Sequence, residues 1–244
     1  MIRIRPILGL PEIEPGAALG AMLGGEAASD DVLVVSQKIV SKAEGRTREL
    51  AHVRPGERAR ALAGELGKDP RLVQLILDES RTIVRAERSV LIVETSSGLV
   101  CANAGIDSSN VSGDDCVTLL PEDPDESARR LRAAIDAVSG ERPAVVIADS
   151  FGRPWRLGQT DVAIGCAGLE PLDVWRGLAD REGRELTATA IAVADQVAAA
   201  ADLVRDKAAG VPAAVISGLA RHITVDDGPG AAALRRAEAD DLFR

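Results

Sequence analysis

The hydrophobic positions of this sequence form continuous apolar runs and alternating segments. Residues 32–35 and 144–148 are entirely apolar, and residues 211–217 are nearly so. Runs of this kind are typical of strands that are covered on both faces of a sheet. Residues 2–6 alternate between isoleucine and arginine and end in proline. This pattern predicts a short strand at a sheet edge, where the missing proline N–H is tolerated.

A hairpin is predicted in the middle of the chain. Residues 81–86 and 90–95 have strand character, and residues 96–98, Ser-Ser-Gly, form a turn that returns the chain through residues 99–102. A further strand is predicted near residues 117–120. Hairpin strands among fully apolar strands favour an α/β fold with a mixed sheet over a Rossmann or P-loop fold. No linker or internal repeat interrupts residues 1–244, so we expect one domain.

Helices are predicted where apolar residues recur at helical spacing beside capping residues. Asp69 and Pro70 form a helix start, while Gly67 and Gly140 are helix stops. In the fourth helix of the series, Leu131, Ile135 and Val138 are expected to share the inward face. The predicted helices cover residues 15–23, 55–66, 70–80, 123–139, 194–207 and 231–242.

Composition and charge restrict the classes of partner. The chain has 38 acidic and 29 basic side chains, a net charge of −9, which opposes binding to nucleic acid or an anionic membrane. Aromatic residues are only 2% of the chain, which excludes a binding face of stacked rings. No apolar run approaches the about 18 residues of a membrane span, and the first residues lack the apolar core of a signal peptide. We therefore expect a cytoplasmic protein.

Few residues are suited to covalent catalysis. The motifs of P-loop, dinucleotide-binding, zinc-protease, EF-hand and serine-hydrolase sites are all missing from the sequence. The two histidines, His52 and His222, lie in polar stretches that we expect to be exposed, so triads built on histidine are disfavoured. Cys101, Cys116 and Cys166 are widely spaced and are expected to be free thiols.

Acidic residues at two separate loops suggest a metal site. Asp107 lies in a loop of small polar residues, and Asp149 and Ser150 directly follow the apolar run 144–148. Such oxygen ligands suit Mg²⁺ or Mn²⁺, which complete their shells with water and substrate phosphates. The cationic residues that could bind phosphates in nearby loops are Lys38, Lys42, Arg46, Arg153 and Arg156. Alternatively, Asp107 caps a turn and Asp149 forms a salt bridge with Arg153.

Several sequence blocks together resemble the coenzyme F-420 gamma-glutamyl ligase family. They occur in the order of the family and span nearly the whole chain. The blocks are Gly9-Leu10-Pro11, Gln37-Lys38-Ile39-Val40-Ser41-Lys42-Ala43-Glu44-Gly45, Asn103-Ala104-Gly105-Ile106-Asp107-Ser108-Ser109-Asn110-Val111, Asp149-Ser150-Phe151-Gly152-Arg153-Pro154-Trp155-Arg156 and Gly158-Gln159-Thr160-Asp161.

The resemblance implies an amide ligase with a family-specific gamma-glutamyl ligase fold. Its expected substrates are GTP, L-glutamate and a deazaflavin phosphodiester, the precursor of coenzyme F-420. GTP would phosphorylate the lactyl carboxylate, the amine of glutamate would attack the acyl phosphate, and further glutamates would be added through gamma linkages. The resemblance also implies a homodimer, two Mg²⁺ or Mn²⁺ ions per site and a possible K⁺ ion.

The family's site residues are carried over by position. Asp107 and Asp149 match ligands of the metal, and Ser150 matches a hydroxyl ligand of the second ion. Lys207 stands where some relatives have an acidic ligand of that ion. The positions that match nucleotide contacts are Leu10, Pro11, Glu12, Ile13, Gln37, Lys38, Lys42, Asn110, Lys207 and Gly210.

The catalytic residues are expected to be Asp107, Asp149, Arg153 and Arg156. The two arginines are assigned to anionic substrate groups on their chemistry alone, because guanidinium groups bind phosphate and carboxylate in pairs of hydrogen bonds. Two alternatives stay open. One is a sister ligase with another acid or amino acid, and the other is an inactive GTP-binding assembly subunit, suggested by the altered residues 205–207.

Overall fold

The computed structural model describes residues 1–108, 115–205 and 210–241, and within them it has strands, α-helices and short 3₁₀ turns. The strands are β1 (Arg3–Ile7), β2 (Val32–Ser36), β3 (Thr47–Glu49), β4 (Ser80–Glu87), β5 (Val90–Thr95), β6 (Val100–Ala102), β7 (Cys116–Thr118), β8 (Ala144–Arg153), β9 (Arg156–Ala167), β10 (Leu172–Val174), β11 (Ala190–Ala192) and β12 (Ala213–Ser217). The α-helices are α1 (Leu19–Leu23), α2 (Gln37–Ala43), α3 (Glu57–Leu66), α4 (Pro70–Asp78), α5 (Pro124–Ser139) and α6 (Val193–Asp202).

A five-stranded mixed sheet forms the centre of the fold. Its strand order is β1-β12-β2-β8-β9. The β2–β8 pair is parallel, whereas the other neighbours are antiparallel. The α/β class with a mixed sheet is therefore confirmed, and β1 is an edge strand as predicted.

The apolar run of β2 is explained by helices on both faces of the sheet. Leu33 and Val35 pack into the cluster that includes α5, while Val32 and Val34 pack into the cluster that includes α6. All four side chains have no exposed surface. A polar residue at any of these positions would lose its hydration on one face or the other.

A smaller layer contains α3, α4 and the antiparallel sheet β4-β5-β6. Its own apolar cluster includes Val73 and Ile76 of α4 and Val93 of β5. The predicted N-cap is confirmed, because the Asp69 carboxylate accepts a hydrogen bond from the N–H of Arg71 at 2.8 Å. The strand β6 lies beside β8, which brings this layer close to the end of the central sheet.

Two segments predicted as polar loops are regular elements. The segment after β2 forms α2, whose first turn is capped by the Ser36 side chain. The turn-rich stretch around residues 151–161 forms the outer part of a hairpin in which β8 and β9 pair from Val145 to Arg153. Trp155 at its tip has φ of 58° and is exposed, so this hairpin arm is held by backbone pairing rather than by a core.

Other expectations were wrong at the level of single elements. The predicted helix 231–242 is absent from the described residues 231–241, which form two 3₁₀ turns, Ala231–Leu234 and Glu238–Asp240. The first predicted helix begins only at Leu19. Val138 is 60% exposed although it was expected to face the core. His222 is buried rather than exposed, because its 3₁₀ turn packs beside the core strands.

Arg132 of α5 joins the helix to the chain after β9. Its side chain is 1% exposed. The guanidinium donates hydrogen bonds to the carbonyls of Pro143 at 3.1 Å, Thr224 at 2.8 Å and Asp226 at 2.8 Å, and it pairs with Asp227 at 2.8 Å. A buried cation with this many acceptors fixes the position of residues 224–227.

In the described part of the chain, no helix is long and apolar enough to cross a bilayer.

We expect Arg132→Met to lower the free energy of unfolding by about 3 to 5 kcal/mol, because it leaves buried carbonyls without their donor and leaves Asp227 with Arg142 alone. Urea unfolding followed by circular dichroism measures the loss. Arg129→Met on the same helix is the matched control, since its partly exposed pair with Glu126 is worth at most about 1 kcal/mol. Equal losses in the two variants would contradict this role of Arg132.

Candidate functional site

A cavity of about 460 Å³ opens at the carboxyl end of the parallel strands β2 and β8. Open α/β sheets commonly bind ligands at this edge. We call it the strand-end pocket. Its lining residues are Leu10, Pro11, Glu12, Ile13, Ser36, Gln37, Lys38, Ile39, Lys42, Asp107, Ala148, Asp149, Ser150, Asp161, Asp202, Arg205, Gly210, Val211 and Pro212.

The parallel register places the end of β2 beside the middle of β8 at the floor of the pocket. Ser36 at the end of β2 lies opposite Ala148 of β8. The next residue along β8 is Asp149, whereas the chain after β2 turns into α2 and carries Lys38 and Lys42. These two lysines are four residues apart and therefore lie on one face of the helix. Carboxylates and ammonium groups thus meet although they come from distant parts of the chain.

Asp107 reaches the pocket through a turn of unusual backbone conformation. Asn103, Ala104 and Gly105 all have positive φ, between 53° and 68°. At Gly105 a Cβ atom would lie 2.6 Å from the Leu120 side chain, so only glycine fits there. Asp107 then forms a bridge with Thr118, with backbone hydrogen bonds of 3.0 and 2.8 Å. This bridge holds its side chain beside Lys38.

Most carboxylates of the pocket have a cationic partner. Lys38 Nζ lies 2.7 Å from Asp107 Oδ2. Lys42 pairs with Glu12, and Arg205 pairs with both Asp161 and Asp202. Among the residues that the structure describes, Asp149 is the pocket carboxylate that lacks an ion pair.

The environment of Asp149 disfavours its negative charge. The pKa of Asp149 is raised to about 7, chiefly by loss of hydration. The nearby carboxylates of Asp161 and Asp107 contribute to the rise, while a hydrogen bond from the Ser150 backbone and the charge of Lys38 oppose it. A partly buried carboxylate with this imbalance would gain stability from a cation. The alternative salt bridge with Arg153 is not formed, because that guanidinium donates to the carbonyls of Leu157 and Gly158.

The sequence-based site omitted three residues of the pocket that contact one another. They are Asp161, Asp202 and Arg205. Ser150 Oγ donates a hydrogen bond of 2.6 Å to Asp161 Oδ1, and Arg205 binds the other oxygen of the same carboxylate. Ser150 and Asp161 are cross-strand partners on β8 and β9. Asp202, at the end of α6, lies 3.7 Å from Arg205. Asp161 belongs to a block used for the family resemblance, which was the available signal for it.

A thiol nucleophile is disfavoured near the pocket. Burial, together with the charge of Asp149, raises the pKa of Cys101 to about 12. Burial likewise raises the pKa of Cys166 to about 12. Both thiols therefore stay protonated at neutral pH, and reactive cysteines need the thiolate. All three cysteines are free, as expected.

The donor set at Asp107 and Asp149 fits an ion that takes few protein ligands. Within residues 1–108, 115–205 and 210–241, no group of three or more His, Cys, Asp or Glu side chains is placed to hold a metal ion. Mg²⁺ and Mn²⁺ sites that use one or two carboxylates and complete their shell with water and phosphate do not need such a group. The uncompensated carboxylate of Asp149 is the feature that fits a divalent cation.

The structure brings together most residues that the sequence assigned to the site. Asp107, Asp149 and Ser150 line the pocket. So do the assigned nucleotide positions Leu10, Pro11, Glu12, Ile13, Gln37, Lys38, Lys42 and Gly210. Arg153 and Arg156 lie instead on the hairpin arm and do not line the pocket. Asn110 and Lys207 lie outside the described residues.

Comparisons with known proteins show the family of the chain. The F420-0:Gamma-glutamyl ligase family matches residues 8–218. A coenzyme F420:L-glutamate ligase of Methanothermobacter thermautotrophicus is 42% identical over 97% of this chain and 96% of its own length. Proteins with the same name from Methanopyrus kandleri and Haloarcula marismortui are 41% and 42% identical, over 100% and 97% of this chain and 98% and 93% of their own lengths. The chain therefore belongs to the F420-0:gamma-glutamyl ligase family.

Proposed function

We propose that this protein is a GTP-dependent ligase that joins L-glutamate to the carboxylate of a deazaflavin phosphodiester and then adds further glutamates through gamma linkages. The observation that carries the proposal is the strand-end pocket, in which Asp107, Asp149 and Ser150 meet Lys38 and Lys42. The family membership and the names of the relatives support the ligation of L-glutamate to F420.

The pocket provides positioning and charge rather than a covalent nucleophile. Formation of an acyl phosphate needs the attacking carboxylate, the γ-phosphate and neutralising charges in one orientation. Lys38 and Lys42, on one face of α2, supply two fixed positive charges for phosphate oxygens. Leu10, Pro11 and Glu12 also line the pocket, and Glu12 pairs with Lys42.

Asp107 and Asp149 would hold a divalent cation. When bound, this ion supplies charge neutralisation for the triphosphate, which an acidic protein cannot provide by its net charge. Lys38 contacts Asp107 at 2.7 Å, and its charge opposes the rise in the pKa of Asp149. Both carboxylates therefore lie near one ammonium group. The ion pairs in the pocket thus orient the side chains that would bind the cation before substrate enters.

Incubation of the protein with GTP, Mn²⁺, L-glutamate and the deazaflavin phosphodiester tests the activity. We expect a series of products that differ by one glutamyl unit, read by mass spectrometry, with one GDP and one phosphate released for each unit. Reactions without GTP, or with ATP in its place, are the controls. Product with another amino acid only would indicate a sister ligase, and GTP binding without product would indicate an inactive nucleotide-binding subunit.

We expect Asp149→Asn to lower kcat by at least about 100-fold, because the amide cannot hold the cation that neutralises the transferred phosphate. Without metal, the same change should stabilise the fold. The pKa of Asp149 is about 7 in the folded protein, compared with an ordinary value of 3.8 for an aspartate side chain. Above pH 7 the ionised carboxylate of Asp149 therefore destabilises the wild type fully. This destabilisation is lost as the pH falls toward 4.

Thermal unfolding in EDTA at pH 8 and pH 4 measures this difference. At pH 8 the variant should gain on the order of 2 kcal/mol, a value reduced for the partial exposure of the side chain, and at pH 4 the two proteins should be alike. Asp30→Asn, which changes an exposed carboxylate outside the pocket, is the matched control and should have no effect at either pH. A loss of stability at pH 8 would show that Asp149 is a structural partner instead.

We expect Lys42→Ala to weaken GTP binding by about 10- to 100-fold, the value of one or two charge-assisted hydrogen bonds, and to change the KM for glutamate much less. Isothermal titration with GDP and steady-state kinetics separate the two effects. Lys68→Ala, after α3 and outside the pocket, is the control. An unchanged nucleotide affinity in Lys42→Ala would remove this lysine from the phosphate site.

A further inference from the structure

A buried arginine–carboxylate pair occupies the Ser150 side of the strand-end pocket. The Arg205 side chain is 6% exposed and the Asp161 side chain is 4% exposed. Their contact brings together the end of α6 and the strand β9, 44 residues apart in the chain. Charged side chains are seldom buried this deeply unless each compensates the other.

The two oxygens of Asp161 are both engaged within the protein. Oδ1 accepts the hydrogen bond from Ser150 Oγ, and Oδ2 contacts Arg205. The Ser150 hydroxyl therefore donates its proton inward, to a carboxylate whose charge is already compensated by a guanidinium. The family resemblance places a second divalent ion on this side of the pocket, with Ser150 as a ligand. The described residues do not fit that second ion, because the Arg205 guanidinium already supplies the positive charge there and would repel a dication.

We propose that this site takes one divalent ion, at Asp107 and Asp149, and that Arg205 supplies the fixed positive charge on the Ser150 side in place of a second ion. The inference rests on the proposed function, since it concerns the same pocket. Asp161 is then a positioning residue, which holds both the Ser150 hydroxyl and the guanidinium.

The charge distribution of the pocket supports a single ion. Glu12, Asp107, Asp161 and Asp202 each have a cationic partner, and within the described residues Asp149 has none. One uncompensated carboxylate calls for one cation site. A second dication near Ser150 would instead lie close to a guanidinium that cannot be deprotonated.

Arg205 also retains donors for an anionic ligand. Its Nε and Nη1 atoms are buried and have no hydrogen-bond partner among the described residues. Unsatisfied buried donors cost free energy, and a cationic N–H group forms a strong hydrogen bond with a phosphate oxygen. A bound polyphosphate would therefore meet a cation on this side of the pocket without any metal.

The number of bound ions tests the proposal directly. Equilibrium dialysis and electron paramagnetic resonance count Mn²⁺ per chain in the presence of saturating GDP. We expect one Mn²⁺ in the wild type, and at least 10-fold weaker Mn²⁺ binding in Asp149→Asn. Two Mn²⁺ ions per wild-type chain would overturn the inference, and so would a count of one that Asp149→Asn leaves at the same affinity.

Nucleotide affinity in EDTA provides a second readout. We expect Arg205→Met to weaken GDP binding by 10-fold or more without metal, and Arg205→Lys to restore part of the loss. The control Arg58→Met, on the exposed face of α3, should bind GDP like the wild type. If Arg205→Met is unstable, the double variant Arg205→Met, Asp161→Asn removes the buried charge as well. GDP affinity equal to that of the wild type in the folded variants would overturn the role of Arg205.

The two proposals fail in different ways. Glutamylated product together with two Mn²⁺ ions per chain would overturn the single-ion inference and leave the proposed function intact. One Mn²⁺ ion per chain, a GDP affinity that depends on Arg205 and no product would overturn the proposed function and leave the inference intact.

Discussion

Because β2 and β8 pair in parallel with Ser36 opposite Ala148, the end of β2 lies beside the point where β8 continues into the hairpin arm. This pairing decides where the polar groups of the chain can meet. It places Asp149 beside the start of α2, although more than a hundred residues separate them. An antiparallel pairing of the same two strands would send the two ends to opposite edges, and the carboxylates and lysines would form separate surfaces.

The pocket combines a well-compensated wall with one strained position. Lys38, Lys42 and Arg205 form ion pairs that neutralise the carboxylates around them. Asp149 is therefore the carboxylate of the described pocket whose negative charge is not compensated. Asp149 lies in β8 directly after residues 144–148, which are buried on both faces. Its side chain cannot turn toward water unless the pairing of β8 with its neighbours changes. The sheet therefore holds a carboxylate in place against its own tendency to be hydrated, which prepares it for a cation.

The elements that could be predicted from sequence are those whose side chains face a core. The run that forms β2 was predictable because burial on both faces excludes polar residues. The hairpin arm of β8 and β9 was not, because its outer half is exposed and is held by backbone hydrogen bonds that leave no hydrophobic pattern. The C-terminal helix failed for another reason. Alanine propensity alone favours a helix there, but the chain forms only a 3₁₀ turn over Ala231–Leu234, whose first N–H groups donate to Asp125.

The candidate site was predictable where it follows strand ends and unpredictable where it depends on register. Asp149 could be identified because a carboxylate directly after an apolar run is unusual, and the resemblance supplied Asp107. The contact of Asp161 with Ser150 exists only because β9 folds back on β8, and Arg205 reaches them from the segment after α6. The net charge of a site therefore cannot be obtained from the residues of one sequence block, because its charged side chains come from several parts of the chain. Ser150 taken with its chain neighbours suggests a metal ligand, but with its cross-strand neighbour it is a donor to a carboxylate that an arginine already neutralises.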